Sequence, residues 1–230
     1  MNGFFLESAT LGVVVSLAGY MIGMAVKRRW KLPVFNPLLI AIILVIGFLL
    51  LFRVDYEAYN SSAKYLSYLL TPATVSLAIP LYQKLELLKK NGLAILVSVF
   101  SGAVASMGSI LAMALLFGLS HEGYVTLLPK SITTAIGIGV AEELGGYPTI
   151  TAAVIIITGV FGNMVAETLC KVFKISHPVA RGLAIGSAAH AIGTTKAMEM
   201  GETEGAMSSL AIVVSGVITV LGAVVFAGFY

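Results

Sequence analysis

Residues 128–139 read Leu-Pro-Lys-Ser-Ile-Thr-Thr-Ala-Ile-Gly-Ile-Gly: a proline, a lysine, three hydroxyls and two glycines in a stretch otherwise apolar enough for a bilayer. Lipid neither hydrates an ammonium group nor hydrogen-bonds a freed backbone, so such a segment belongs against protein or water. A charge at membrane depth costs about 2.5–3.5 kcal/mol on insertion scales, which marks it as a functional candidate by default. Lys130 would supply a cation, and Ser131, Thr133 and Thr134 would supply hydroxyls. An interrupted helix adds free N–H groups at its positive end. Together these suit a small carboxylate better than a cation. The plainer reading has Pro129 opening a helix, Lys130 snorkelling to the interface and the hydroxyls capping. The set of four favours a substrate site; no single member would.

A second stretch repeats the theme. Residues 188–196 read Ala-Ala-His-Ala-Ile-Gly-Thr-Thr-Lys, and His190 is the one histidine inside an apolar run. Its ordinary pKa of about 6.5 suits a proton shuttle or sensor. His190, Gly193, Thr194 and Thr195 are therefore assigned to the same substrate site, against the reading of a histidine that only glues helices together. Asn163, Glu142 and Glu143 are candidates for the pathway or for proton coupling. A desolvated carboxyl can take up a proton, although two glutamates beside Gly145-Gly146-Tyr-Pro148 also read as a solvated turn. Asn163 and Glu167 are four apart and share a helix face, where Glu167 can simply pair near Lys171. No metal or other cofactor is expected: His190 has no second ligand within a helical turn. Nucleophile–base, Walker and dinucleotide patterns are missing too, so the expectation is not an enzyme.

The composition sets the elements that must position these groups. Of 230 residues, 58% are hydrophobic and 11% charged, and the mean hydropathy is +0.98. Soluble domains carry about a quarter charged residues. The apolar runs are long and continuous, unlike the short alternating segments of a membrane barrel. The expectation is an all-α polytopic membrane protein that meets lipid, not nucleic acid; the net charge of +3 sits near the ends of the apolar runs. Cys170 is the only cysteine, which excludes an internal disulfide. The N-terminal Met-Asn-Gly-Phe-Phe-Leu-Glu has no basic residue ahead of its apolar run, so it reads as the start of a first span rather than a cleaved leader.

Spans are expected over residues 8–26, 32–52, 92–119, 147–170 and 206–229, and a broken third segment over 65–82 carries Thr71, Pro72, Thr74, Ser76 and Pro80. The basic cluster of residues 27–31 goes to the cytoplasm and the N-terminus outside. If Lys171, Lys174 and Arg181 are also cytoplasmic, residues 128–146 begin and end outside, and residues 180–198 begin and end inside. Both are then re-entrant hairpins, the preferred reading. If those cations lie outside, both segments are full, broken crossings.

A faint repeat joins these pieces. Pro72-to-Ile79 aligns with Pro129-to-Ile136, and Ser101-Gly102 with Thr158-Gly159 and Ser215-Gly216, each 57 residues apart. About six to eight transmembrane segments with two broken or re-entrant helices in an inverted-repeat arrangement are expected, as in many secondary transporters. Residues 1–230 form one integral membrane domain on this reading, with two N-terminal spans in 1–64 and repeated broken-helix-plus-span units in 65–230.

Four pieces carry a resemblance: Leu128-to-Thr134, Gly145-Gly-Tyr-Pro-Thr-Ile-Thr151, Gly159-Val-Phe-Gly162, and Arg181-to-Thr195. The chain resembles the LrgB/CidB family of bacterial membrane proteins over essentially its whole length. Members often carry proline after the Thr-Thr pair; Ala135 stands there in this chain, so Gly137 and Gly139 are expected to supply the break. The resemblance implies a multi-pass protein of the bacterial plasma membrane. It also implies two functions. One is holin- or antiholin-like control of murein hydrolases and autolysis, beside a small LrgA/CidA-type partner. The other is movement of short-chain acids, since a plastid relative looks like a glycolate/glycerate carrier. Residue types favour an alternating-access carrier of small monocarboxylates, with possible proton coupling, and the resemblance implies pyruvate, glycolate or glycerate as the class; the antiholin-like role is the alternative. A homodimer is the expected assembly.

Overall fold

The computed structural model describes Ser8, residues 10–30, Leu32 and residues 34–230, apart from the side chains of residues 70, 71, 74, 80, 81, 87 and 88. The expectations for residues 1–7, for Lys31 and for the side chains of Thr71, Thr74 and Pro80 lie outside the described residues. No strand occurs among the described residues. Four of their helices are long and apolar enough to cross a membrane: Leu11–Trp30 (α1), Gly92–Phe117, Pro148–Val172 and Glu202–Ala227. The chain divides into two compact units, Met1–Ser76 and Leu77–Tyr230.

In the first unit, α1 packs on Pro37–Leu51 (α2), followed by Tyr56–Ala63 (α3), a 3-10 turn over Lys64–Leu69, and Leu70–Ser76 (α4). The small pair Gly19 and Gly23 faces α2: a methyl added at Gly23 would lie 2.5 Å from the Pro37 carbonyl oxygen. Such small-xxx-small pairs allow close helix approach, and here the approach is within the chain. The second expected span, 32–52, is shorter than anticipated. Asn36 stops it: its Oδ1 accepts from the amides of Leu38 at 2.8 Å and Leu39 at 3.2 Å, with Pro37 in the first turn. The remaining 15 residues rise about 22 Å, less than the roughly 30 Å hydrocarbon core. The third expected segment is interrupted, as its prolines suggested, into the 3-10 turn, α4 and Ala78–Gln83 (α5).

The second unit contains α5, Leu85–Lys90 (α6), Gly92–Phe117 (α7), His121–Leu127 (α8), Thr134–Glu143 (α9), Pro148–Val172 (α10), Pro178–Met200 (α11) and Glu202–Ala227 (α12). Two apolar clusters fix its ends. At the basic end, Ile95 and Val99 of α7 pack with Val179 and Leu183 of α11 and Ala206, Met207 and Ala211 of α12. At the far end, Met107, Ile110 and Ala114 of α7 pack with Tyr124, Val125, Leu128, Val140 and Ala223. Helices α7 and α12 therefore run from the basic end to the far end.

Helix α11 reverses direction. Along its first half, Gly182 abuts Glu204 and Met207 and Gly186 abuts Ser208 and Ala211, a parallel match to α12. Along its second half, Thr194 meets Ser208 and Met198 meets Gly205, an antiparallel match. The turn falls at Ala189 (φ −129°, ψ 15°) and His190 (φ 41°, ψ −140°). Residues 121–147 also double back: Thr126 Oγ1 accepts from the Tyr147 amide at 2.8 Å, and Thr151 Oγ1 donates to the Thr126 carbonyl at 2.9 Å. The chain breaks over residues 128–133, ahead of α9. Gly137 and Gly139 lie inside α9, so they do not supply the break anticipated there. Pro129 and the turn after it do.

Candidate functional site

Lys130 sits in that turn. Its Nζ donates to Ser106 Oγ at 3.1 Å and to Ser131 Oγ at 3.0 Å, and the two hydroxyls are 3.0 Å apart. An ammonium has three donors, and these bonds use two. No carboxylate pairs with Lys130 among the described residues. A cation this deep without a counter-ion is costly unless a partner arrives.

The partner has room. Lys130 and Ser131 line a cavity of about 670 Å³ together with Ser98, Ser101, Gly102, Ala105 and Ser106 of α7 and Ala180, Leu183, Ala184, Ser187 and Ala188 of α11. That volume is in the range of small-molecule sites. The Ser101 hydroxyl donates to the Ser98 carbonyl at 2.9 Å and that of Ser187 to the Leu183 carbonyl at 2.7 Å. With their hydrogens engaged, both oxygens are left as acceptors. The cavity therefore offers one cation and several hydroxyls, and its walls carry no carboxylate.

Sequence spacing did not single out Ser98, Ser101, Ser106 or Ser187. The signal was present on α7, where positions 98, 101/102 and 105/106 recur at helical spacing as one small, polar face. Of that face, Ser101 and Gly102 had entered only as part of the 57-residue repeat.

The other anticipated residues are placed elsewhere. His190 is buried, and its Nε2 lies 2.9 Å from the Ile155 carbonyl oxygen. A carbonyl only accepts, so Nε2 carries the hydrogen. Gly193 and Thr194 are buried in the returning half of α11. Thr194 Oγ1 donates to the His190 carbonyl at 2.9 Å and is 2.7 Å from Ser208 Oγ. Thr195 and Asn163 meet: Asn163 Nδ2 donates to Thr195 Oγ1 at 2.9 Å and to the Ile192 carbonyl at 2.8 Å. Thr133 and Thr134 are half-buried at the start of α9, and Glu142 and Glu143 are exposed at its end. The two broken segments still converge on one residue. Ile155 takes the His190 ring on its carbonyl, and its Cδ1 fills the space a side chain on Gly137 would need.

A family profile described as the LrgB-like family matches residues 16–229. The chain belongs to the LrgB-like family. It is 39% identical, over 91% of its own length and 92% of theirs, to proteins named "Antiholin-like protein LrgB" from Bacillus mycoides (strain KBAB4) and Bacillus cereus (strain B4264). The same figures hold for the protein of that name from Bacillus anthracis (strain CDC 684 / NRRL 3495). No solved structure matches the chain. Family membership and the long apolar helices agree on an all-helical membrane protein. The relatives' name favours the antiholin-like alternative over the carrier that was expected first.

Proposed function

We propose that this LrgB-like chain is an antiholin-like protein of the bacterial plasma membrane that restrains murein hydrolase activity and autolysis. The observation that carries this reading is the name shared by relatives 39% identical over 91% of the chain. On this proposal residues 1–230 form one membrane domain, working beside a small LrgA/CidA-type partner and as a homodimer. Lys171, Lys174 and Arg181 lie in the cytoplasm, which puts the N-terminus outside. Residues 121–147 and α11 are then hairpins entering from opposite faces, the inverted arrangement in which midplane sites form. The reversal of α11 against α12 supports that placement. The test is autolysis of a strain lacking the chain. Faster lysis, restored to the wild-type rate by either the wild-type chain or Lys130→Ala, is expected. Lysis unchanged by the deletion would overturn the proposal.

One observation favours a second reading, a carrier of small monocarboxylates: Lys130 faces a cavity of about 670 Å³ with no carboxylate on its walls. On this reading the ligand carboxylate takes the ammonium's remaining donor, and the serine oxygens accept from a ligand hydroxyl. Uptake of labelled pyruvate, glycolate or lactate into proteoliposomes tests it. Flux that Lys130→Ala reduces by about tenfold or more, the loss of one charge-assisted contact of 1.5–3 kcal/mol, supports a carrier. No flux, or flux indifferent to Lys130→Ala, removes it.

A further inference from the structure

The geometry points to a one-sided vestibule that admits solute from the basic end, stops at Lys130, and is closed beyond it by a gate of Met107, Ile110, Tyr124 and Leu128. It rests on the carrier reading only for what would pass the gate; the shape itself stands on the observations below.

The cavity's outermost lining residues are Ser98 and Ala180. Ser98 lies two turns into α7, which follows Lys89 and Lys90, and Ala180 adjoins Arg181 at the start of α11. From there the walls run inward along exposed, small side chains: Ser101 and Ala105 on α7, Ala184 and Ala188 on α11. They end on Ser106, Ser131 and Lys130 at the middle of α7. Water and an anion can follow hydroxyls and methyls of this size.

The chemistry changes within one residue of the blind end. Met107 follows Ser106, and Leu128 precedes the Pro129-Lys130 turn; they are 1% exposed, and Tyr124 and Val125 are fully buried. With Ile110, Ala114, Val140 and Ala223 they form a layer of apolar side chains between Lys130 and the far end. Hydrogen bonds hold the layer shut. Tyr124 donates to the Phe226 carbonyl at 2.8 Å, and Tyr230 donates to the Leu119 carbonyl at 2.5 Å and the Ala114 carbonyl at 3.2 Å. The two tyrosine rings pack at a tilt of 52° with centroids 5.1 Å apart. The hydroxyl hydrogens of Tyr124 and Tyr230 are already committed to carbonyls and the other side chains of the cluster are apolar, so the layer offers an anion no donor to replace its hydration and Lys130 is the last stop before it.

Cysteine accessibility tests the vestibule without requiring transport. In a Cys170→Ser background, Ser101→Cys and Ser106→Cys are treated with a membrane-impermeant anionic methanethiosulfonate in sealed vesicles of each orientation. Ala180→Cys serves as the entrance control, and a single elution peak certifies each variant. Reaction of both serine positions about tenfold or more faster from the face that labels Ala180→Cys is expected, the ratio of a 1.36 kcal/mol difference in barrier. Ile110→Cys stays unlabelled from both faces. Adding Leu128→Ala to Ser106→Cys raises far-face labelling about tenfold or more. Labelling of Ser106→Cys at equal rates from both faces, or from the far face first, overturns the proposal. So does labelling of Ala180→Cys alone. Absence of uptake with one-sided labelling would sink the carrier and leave the vestibule; uptake with two-sided labelling would do the reverse.

Discussion

Glycine 159 shows how a single hydrogen atom can hold the centre of this protein together. A methyl group there would lie 2.6 Å from Cε1 and 2.8 Å from Nε2 of His190, and 3.0 Å from Cβ of Ile192. The ring cannot retreat, because it is tied to the Ile155 carbonyl and its own backbone sits at φ 41°, where side chains are rarely found. Gly159→Ala should therefore cost about 1–3 kcal/mol, as overpacking does, read as a fall in thermal midpoint in detergent. Gly139 has nothing within 4 Å of an added methyl. Gly139→Ala, inside α9, should raise stability by about 0.5–1 kcal/mol through lost backbone freedom. Equal effects from the two substitutions would contradict the placement of His190. The sequence made His190 a ligand candidate because an imidazole in an apolar run is conspicuous. Spacing gives a residue's depth, but it could not foresee that a backbone carbonyl on α10 would claim the ring.

Between elements, the returning half of α11 is tied to α10 at the basic end by charge. Glu167 bridges Lys171 at 2.9 Å and Lys196 at 2.9 Å, and Lys196 also reaches Glu199 at 3.4 Å. On the entering half, Arg181 Nε donates to the Ile175 carbonyl at 2.7 Å, and its Nη1 is 3.9 Å from Glu204 Oε1. Both legs of the reversal are thus anchored at one end. The Glu167 side chain is 43% exposed, so solvent screens much of the attraction. Glu167→Gln should cost about 0.2–1 kcal/mol, a loss that shrinks as salt is raised. A larger, salt-independent loss would mean that the carboxylate does something other than pair. Charge counting made hairpins the preferred reading of residues 128–146 and 180–198 and full crossings the alternative, because the choice turns on which face Lys171, Lys174 and Arg181 occupy. The shortness of α2 was not read, since the apolar run continues through Leu32 to Phe52 while the cap at Asn36 and Pro37 cuts it. The serine face of α7 was overlooked for a related reason: its residues are individually unremarkable, and only Lys130, arriving from a distant turn, gives them a role.

At the scale of the whole molecule, the small-Gly pairs 57 residues apart mark where long helices receive the broken segments. Gly102 on α7 faces Ser187, Gly159 on α10 faces His190, and Gly216 on α12 faces Ile136. Each of the three long helices thus makes a close contact at the glycine of its pair. The functional proposals depend on the surroundings of Lys130, which has no counter-ion among the described residues and is tolerable within a membrane only against protein or water. The most direct test is sidedness of labelling at four exposed positions, one cysteine at a time in the Cys170→Ser background. Cysteines replacing His121 and Glu143 should both react from one face of the membrane, and those replacing Ala180 and Glu199 both from the other. Reaction of His121→Cys and Glu143→Cys from opposite faces, or of Ala180→Cys and Glu199→Cys from opposite faces, would mean full crossings and would contradict the account.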